Sequence, residues 1–155
     1  MNTQAFEAGK KAYQSGDWFA AVTHLADAKD PGAADGSIDH MIGNAYMKLG
    51  QYDSAAAAYA AALKDSAYGK LGALSCNMGR ALLAAGRPEE AIASLLRATQ
   101  DNSYTTPYKA YLALGNAYEG IDDIRNAGIA YRNAAIDETN PNPSGALSSL
   151  GSCFM

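Results

Sequence analysis

The segment Ile42–Leu63, IGNAYMKLGQYDSAAAAYAAAL, contains the pattern that the rest of the chain repeats. Gly43 follows an apolar residue, and Gly50 interrupts the run that it begins. After that interruption, residues of alternating size follow at helical spacing: Tyr52, Ala55, Tyr59 and Ala62. This spacing predicts two amphipathic α-helices around a tight turn, with small residues where the helices cross and large residues beside the crossing.

The same pattern recurs along the chain at intervals of 34 to 36 residues. Its first glycine recurs at Gly9, Gly43, Gly79, Gly115 and Gly151. The glycine of the turn recurs at Gly16, Gly50 and Gly86. Pairs of alanines flank one large residue in each copy, and that large residue is Leu25, Tyr59, Leu95 or Tyr131. The chain therefore consists of internal repeats.

A helix–turn–helix unit with a period near 34 residues is typical of the tetratricopeptide repeat, and this chain resembles that family over essentially its whole length. The resemblance implies an all-α fold, a right-handed α-solenoid of antiparallel helix pairs with about nine helices. It implies a single domain over residues 1–155, with repeats at 2–35, 36–71, 72–107 and 108–143 and a partial fifth repeat or capping helix at 144–155. The apolar ending of the chain favours a fragment of a longer repeat protein over a terminal cap.

Repeat four departs from the pattern at its turn. Asp122 occupies the place of the turn glycine, and Gly120 lies two residues early. Gly128 also falls inside the second helix of this repeat, where glycine costs about 1 kcal/mol relative to alanine. We therefore expect repeat four to be the least stable of the four repeats.

Charge and composition exclude several classes of protein. The net charge of -4 and the pI near 5.0 argue against a general nucleic-acid binder, which needs a basic surface. The longest helical run without charge, Ser54–Leu63, is too short to cross a bilayer. The N-terminus has no apolar signal core, and Cys76 and Cys153 match no disulfide or metal spacing. We expect free thiols and a cytoplasmic location.

Catalytic motifs are not found in the sequence. It has no phosphate loop, dinucleotide fingerprint, zinc spacing or recognisable nucleophile–base pair. Glu89 and Glu90 follow Pro88 at a predicted helix start, where carboxylates stabilise the positive end of the helix. The sequence therefore predicts a protein that is not an enzyme and that has no cofactor and no metal site.

The family architecture implies a binding groove. The first helices of successive repeats line a concave surface, and side chains offset from the packing residues point into it. This rule gives the predicted groove residues Lys10, His40, Met41, Asn44, Asn77, Arg80, Lys109, Leu112 and Asn116. The set is more basic than the chain as a whole, which favours a peptide or protein segment with an acidic side chain or a C-terminal carboxylate. Polar helix surface without a ligand explains the same positions equally well.

Family members that bind the C-terminal carboxylate of chaperone peptides use Lys-x-x-x-Asn on one first helix, Asn on the next and Lys-x-x-x-Arg on the third. The corresponding residues here are His40 and Asn44, then Asn77, then Lys109 and Ala113. The first Lys and the final Arg are missing. Because bidentate bonds from Arg to a carboxylate are the strong ones, a general peptide groove is favoured over a chaperone-type clamp.

The predicted function is that of a non-enzymatic interaction module, or scaffold, that binds an extended segment of another protein in its groove. An alternative is self-association through the terminal helices, around Phe154 or around Trp18 and Phe19, which would make the protein a homo-oligomer. A third interpretation is the recognition part of a larger enzyme.

Overall fold

The computed structural model of the protein describes residues 1–154, which form nine α-helices and no β-strand. The helices are α1 Thr3–Ser15, α2 Trp18–Ala28, α3 Gly36–Lys48, α4 Tyr52–Leu63, α5 Leu71–Ala84, α6 Pro88–Thr99, α7 Pro107–Gly120, α8 Ile124–Ile136 and α9 Pro143–Ser152. They form two compact units. Met1–Lys70 contains α1 to α4, and the unit that begins at Leu71 contains α5 to α9. Within each unit, consecutive helices pack as pairs.

A residue with left-handed backbone geometry forms the turn of each helix pair. Gly16, Gly50 and Gly86 have φ values of 79°, 72° and 78°. Asp122 takes the fourth place with a φ of 60°, so the turn of repeat four keeps this backbone geometry although its residue departs from the pattern. Aspartate is among the few residues other than glycine that adopt this geometry routinely, since its short polar side chain bonds locally.

The helices of each pair meet where a glycine of the first helix lies against a large side chain of the second. A Cβ at Gly9 would lie 2.7 Å from Leu25 Cγ, and one at Gly43 would lie 2.6 Å from Tyr59 Cε1. Carbon atoms in good contact are about 3.5–4.0 Å apart, so neither site has room for a side chain. The same overlap would occur at two further contacts, Gly79 with Leu95 and Gly115 with Tyr131.

The alanines that flank each large residue are completely buried. All eight have no exposed surface: Ala21, Ala28, Ala55, Ala62, Ala91, Ala98, Ala127 and Ala134. Leu25 and Leu95 are also 0% exposed, and Tyr59 and Tyr131 are 2% exposed. The predicted arrangement of small residues at the crossing and one large residue between them is therefore confirmed in each repeat.

A second contact joins the loop after α4 to the start of α3. The Gly36 N–H donates to Asp65 Oδ2 (2.8 Å), and the Tyr68 ring packs where a Cβ on Gly36 would lie. In the second unit, Gly72, Asp101 and Tyr104 repeat this arrangement. Asp137 has the same place in repeat four, but its buried Oδ2 has no hydrogen-bond partner among residues 1–154. This difference supports the expectation that repeat four is the least stable, which stays a prediction.

His40 extends the contact between α3 and the loop that follows α4. Its Nδ1 lies 2.9 Å from the Tyr68 hydroxyl, and its ring is half-buried. Burial lowers the pKa of His40, and the positive charge of Lys70 lowers it further. In the second unit the corresponding residue is Cys76, a buried thiol whose pKa is raised by burial and lowered in part by the neighbouring Tyr104.

Replacing Gly43 by alanine should destabilise the fold. The added methyl would overlap the Tyr59 ring, and overpacking of this kind costs about 1–3 kcal/mol. The matched control is Gly151→Ala, since Gly151 is helical and in register but has no atom within 4 Å of its would-be Cβ. This control should leave the free energy of unfolding unchanged or raise it by less than about 0.5 kcal/mol, because Gly151 lies in the last turn of α9. Urea unfolding measures both changes, and equal effects of the two substitutions would contradict the packing argument.

The stability of the Met1–Lys70 unit should depend on pH through His40. Because the folded state lowers the pKa of His40 from 6.5, the unfolded chain binds the proton more tightly. The part of the free energy of unfolding that depends on a neutral His40 is complete above about pH 6.5. It is lost as the pH falls toward the pKa that His40 has in the folded protein. The measurement is the thermal unfolding temperature of wild type and of His40→Cys between about pH 7 and pH 5. The temperature should fall more steeply toward low pH in wild type than in the variant. Parallel curves for the two proteins would refute a role for His40.

Candidate functional site

Helices α5 and α7, the first helices of repeats three and four, form an open pocket in the second unit. Its volume is about 550 Å³. The lining residues are Arg80, Leu83, Ala84, Lys109, Leu112, Ala113 and Asn116. Each helix contributes one cation, and one helical turn further along the small Ala84 and Ala113 keep the pocket open.

The two cations of the pocket have no acidic partner. Arg80 and Lys109 are both exposed, and neither forms a salt bridge with a residue in the part of the chain that the structure describes. Both influence the buried thiol of Cys76: burial raises its pKa, and the Tyr104 hydrogen bond, Arg80 and Lys109 oppose that change. The pocket therefore has a positive potential that no neighbouring carboxylate neutralises.

Asn116 contributes a fixed amide at the pocket. The Tyr131 hydroxyl donates to Asn116 Oδ1 (2.6 Å), which occupies the amide oxygen. The Nδ2 group makes no hydrogen bond within residues 1–154. Its N–H donors can therefore bind an acceptor in the pocket beside the two cations.

The predicted groove residues of the first unit are used in contacts within that unit. Asn44 donates through Nδ2 to the Tyr13 hydroxyl (3.1 Å) and accepts from the Tyr59 hydroxyl (2.7 Å). Met41 packs against the core of the unit, and His40 contacts Tyr68. Lys10 forms an ion pair with Glu7 (3.0 Å) and lies over the Phe6 ring. These contacts account for the four residues without a ligand.

An alternation along the sequence explains which groove positions are engaged in internal contacts. In repeats two and four the packing glycine is followed by asparagine, and tyrosine comes 15 residues later: Asn44 with Tyr59, and Asn116 with Tyr131. In repeats one and three the glycine is followed by a cation, and leucine takes the place of tyrosine: Lys10 with Leu25, and Arg80 with Leu95. Leucine has no hydroxyl, so it cannot bind the cation.

The structure therefore brings four of the nine predicted residues together in one pocket: Arg80, Lys109, Leu112 and Asn116. Asn77 is half-buried on α5 and does not line this pocket. The sequence analysis did not predict that Ala84 and Ala113 line the pocket. Each lies four residues after a predicted cation, and so on the same helix face. It also did not predict the hydrogen bonds from tyrosine hydroxyls to Asn44 and Asn116. In both repeats the tyrosine comes 15 residues after the asparagine, and this shared spacing would have indicated those bonds.

The lining of the pocket suits binding of an anion with apolar neighbours. It supplies two permanent cations, one amide and the apolar surface of Leu83 and Leu112. It contains no carboxylate, histidine or thiol to act as a base or nucleophile. Elsewhere in residues 1–154, no group of three or more His, Cys, Asp or Glu side chains is placed to hold a metal ion. No helix of the described chain has the length and apolar character needed to span a membrane.

Comparison with solved structures shows extensive similarity. A crystal structure of MamA protein superimposes with a TM-score of 0.86 at 21% identity, covering 99% of this chain and 80% of that one. A second MamA crystal structure gives a TM-score of 0.83 at 22% identity, covering 94% of this chain and 82% of that one. The TPR domain of Arabidopsis OM64 gives 0.67 at 24% identity, covering 76% of this chain and 93% of that domain. These likenesses confirm the predicted fold class, an all-α solenoid of helix pairs.

Comparison of sequences identifies the family. No curated protein sequence matches the chain significantly. The sequence profile described as tetratricopeptide repeat matches residues 40–74 and 76–143, which is more than half of the chain. With the repeated contacts between glycine and a large side chain, this match shows that the chain belongs to the tetratricopeptide repeat family.

Proposed function

We propose that this protein is a non-enzymatic interaction module whose pocket between α5 and α7 binds an acidic segment of a partner protein. The observation that carries the proposal is the presence of two unpaired cations, Arg80 and Lys109, in one open pocket. Two like charges that line one pocket repel each other, and an anion between them relieves that repulsion. A carboxylate from a partner would fill that role here.

The side chains of the pocket could both bind an acidic peptide and fix its orientation. A carboxylate would accept hydrogen bonds from the Arg80 guanidinium and the Lys109 ammonium, each contributing about 1.5–3 kcal/mol. Leu83 and Leu112 would contact an apolar side chain next to the carboxylate. The Asn116 amide would donate to a backbone carbonyl of the same segment. Together these groups recognise a short acidic and apolar sequence.

Arg80 supplies a guanidinium that the chaperone-type pattern would place elsewhere. That pattern requires Arg four residues after Lys109, where this chain has Ala113. Ala113 and Arg80 line the same pocket, so the guanidinium enters from α5 instead of α7. A guanidinium in this position would bind a carboxylate with a different geometry, so the ligand that we propose differs from the chaperone peptides.

Reversing the charge of the pocket should abolish binding of an acidic peptide. The probe is a labelled pentapeptide of Glu, Asp and Leu with a free C-terminal carboxylate, followed by fluorescence anisotropy. We expect a Kd of about micromolar order, weakening as salt is added. Arg80→Glu and Lys109→Glu should each weaken binding at least about tenfold, because each replaces an attraction by a repulsion.

The matched control for this experiment is Arg97→Glu. Arg97 is an exposed helical arginine of the same unit, and it does not line the pocket. A peptide with an amidated C-terminus distinguishes recognition of a chain end from recognition of acidic side chains. If Arg97→Glu weakens binding as much as the pocket variants do, the effect is one of net charge and the proposed site is wrong.

Self-association through the terminal helices is the second candidate function. Its support is the exposure of two phenylalanines, Phe19 at 72% and Phe154 at 77%, since large exposed apolar groups often mark contact surfaces. Sedimentation velocity over a range of concentrations tests it. Growth in size that Phe19→Ser or Phe154→Ser removes would support self-association, and a monomer at every concentration would exclude it.

A further inference from the structure

Helix α8 has an exposed stripe in which arginine and isoleucine alternate. Arg125, Ile129, Arg132 and Ile136 follow one another at spacings of four, three and four residues, so they lie on one face of the helix. All four are exposed, Ile129 at 49% and Ile136 at 67%. We call these four residues the α8 stripe.

An apolar pocket of about 520 Å³ adjoins the α8 stripe. Arg125, Ile129 and Arg132 form its α8 side, and Leu150 and Phe154 form the other. Gly128 leaves space at the base, where a Cβ would lie 3.4 Å from Phe154 Cζ and 3.7 Å from Leu150 Cδ1. Ile129 belongs to both the stripe and the pocket, and Arg125 and Arg132 place two guanidinium groups at the border of this apolar pocket.

The charge of α8 is opposite to that of the protein. The chain has a net charge of -4, yet α8 contains two arginines and no aspartate or glutamate. Neither Arg125 nor Arg132 forms a salt bridge within residues 1–154. The nearest acids in sequence flank the helix: Asp123 caps its N-terminus, and Asp137 follows its C-terminus. The two arginines therefore place positive charge at the border of an exposed apolar surface.

We propose that the α8 stripe and its adjoining pocket form a docking surface for an acidic amphipathic helix of a partner protein. Such a helix would place leucine-like side chains on Ile129 and into the pocket beside Phe154. Two carboxylates seven residues apart would match Arg125 and Arg132, which have the same spacing. A helix bound in an apolar groove with charged borders is an established mode of recognition, and arginine and aromatic residues are the side chains that most often dominate such interfaces.

Charge complementarity selects an acidic partner over a second copy of this chain. In a two-fold dimer through the α8 stripe, four arginines would meet at one interface, and the stripe itself provides no carboxylate to pair with them. Like charges placed together at an interface are costly. A partner helix with two carboxylates neutralises the same surface. This surface is separate from the pocket of Arg80 and Lys109 and does not depend on the function proposed for that pocket.

The probe is a synthetic alanine-rich helical peptide with two glutamates seven residues apart and leucines between and beyond them on the same face. The control peptide has lysine in place of both glutamates. In fluorescence anisotropy at low salt, the glutamate peptide should bind wild type at least about tenfold more tightly than the lysine peptide. Arg125→Glu combined with Arg132→Glu should reverse that preference, so that the lysine peptide binds more tightly. Binding of the lysine peptide shows that the double variant is folded.

Three results would overturn the proposal. The first is equal binding of the two peptides, or binding of neither, by wild type. The second is loss of glutamate-peptide binding in Arg80→Glu but not in the α8 double variant, which would assign the peptide to the other pocket. The third is concentration-dependent association of wild type that Ile129→Ser abolishes, which would make a second copy the occupant of the surface. An unchanged preference in Arg80→Glu, together with the reversal in the α8 variant, supports it.

Discussion

The contact between a glycine of the first helix and a leucine or tyrosine of the second is the interaction on which the rest of the structure depends. It recurs in all four repeats, and no site of this kind has room for a Cβ. Because the backbones approach so closely there, the flanking alanines are buried completely. The fifth glycine in register, Gly151, has no such neighbour within residues 1–154, so its helix has an open face where the others have a partner.

The identity of the large residue also influences the surface beside it. A tyrosine reaches past the glycine and bonds the next residue of the first helix, as Tyr59 bonds Asn44 and Tyr131 bonds Asn116. A leucine has no hydroxyl and cannot form such a hydrogen bond. In the two repeats with leucine, the residue after the packing glycine is a cation, Lys10 or Arg80. In these four repeats tyrosine at the large position accompanies a hydrogen-bonded amide, and leucine accompanies a cation. Lys10 forms an ion pair with Glu7, whereas Arg80 forms no salt bridge within residues 1–154.

Both proposed surfaces follow from positive charge in an acidic protein. At the pocket of Arg80 and Lys109 the cations converge on a small opening suited to a carboxylate and its neighbours. On the α8 stripe the cations are spread along a helix and alternate with apolar side chains, which suits a helix of matching spacing. Long-range repulsion from the net negative charge disfavours acidic ligands in general, so in both proposals an acidic partner would approach through one of these two local regions of positive charge.

The sequence alone determined the repeat, the helix pairs and the packing residues, because the spacing of glycine, alanine and one large residue has few other solutions. It placed Asp122 at the position of the turn glycine, and the structure adds that Asp122 keeps the left-handed geometry. Only the tertiary structure showed which of the predicted groove residues are free to line a pocket. Helical spacing places His40 and Asn44 on one face of α3, and it predicts which faces of α5 and α7 present Arg80 and Lys109. It does not show which polar groups are already bonded. Those bonds come from residues distant in the chain, such as Tyr13 to Asn44 and Tyr68 to His40, and only folding brings them together.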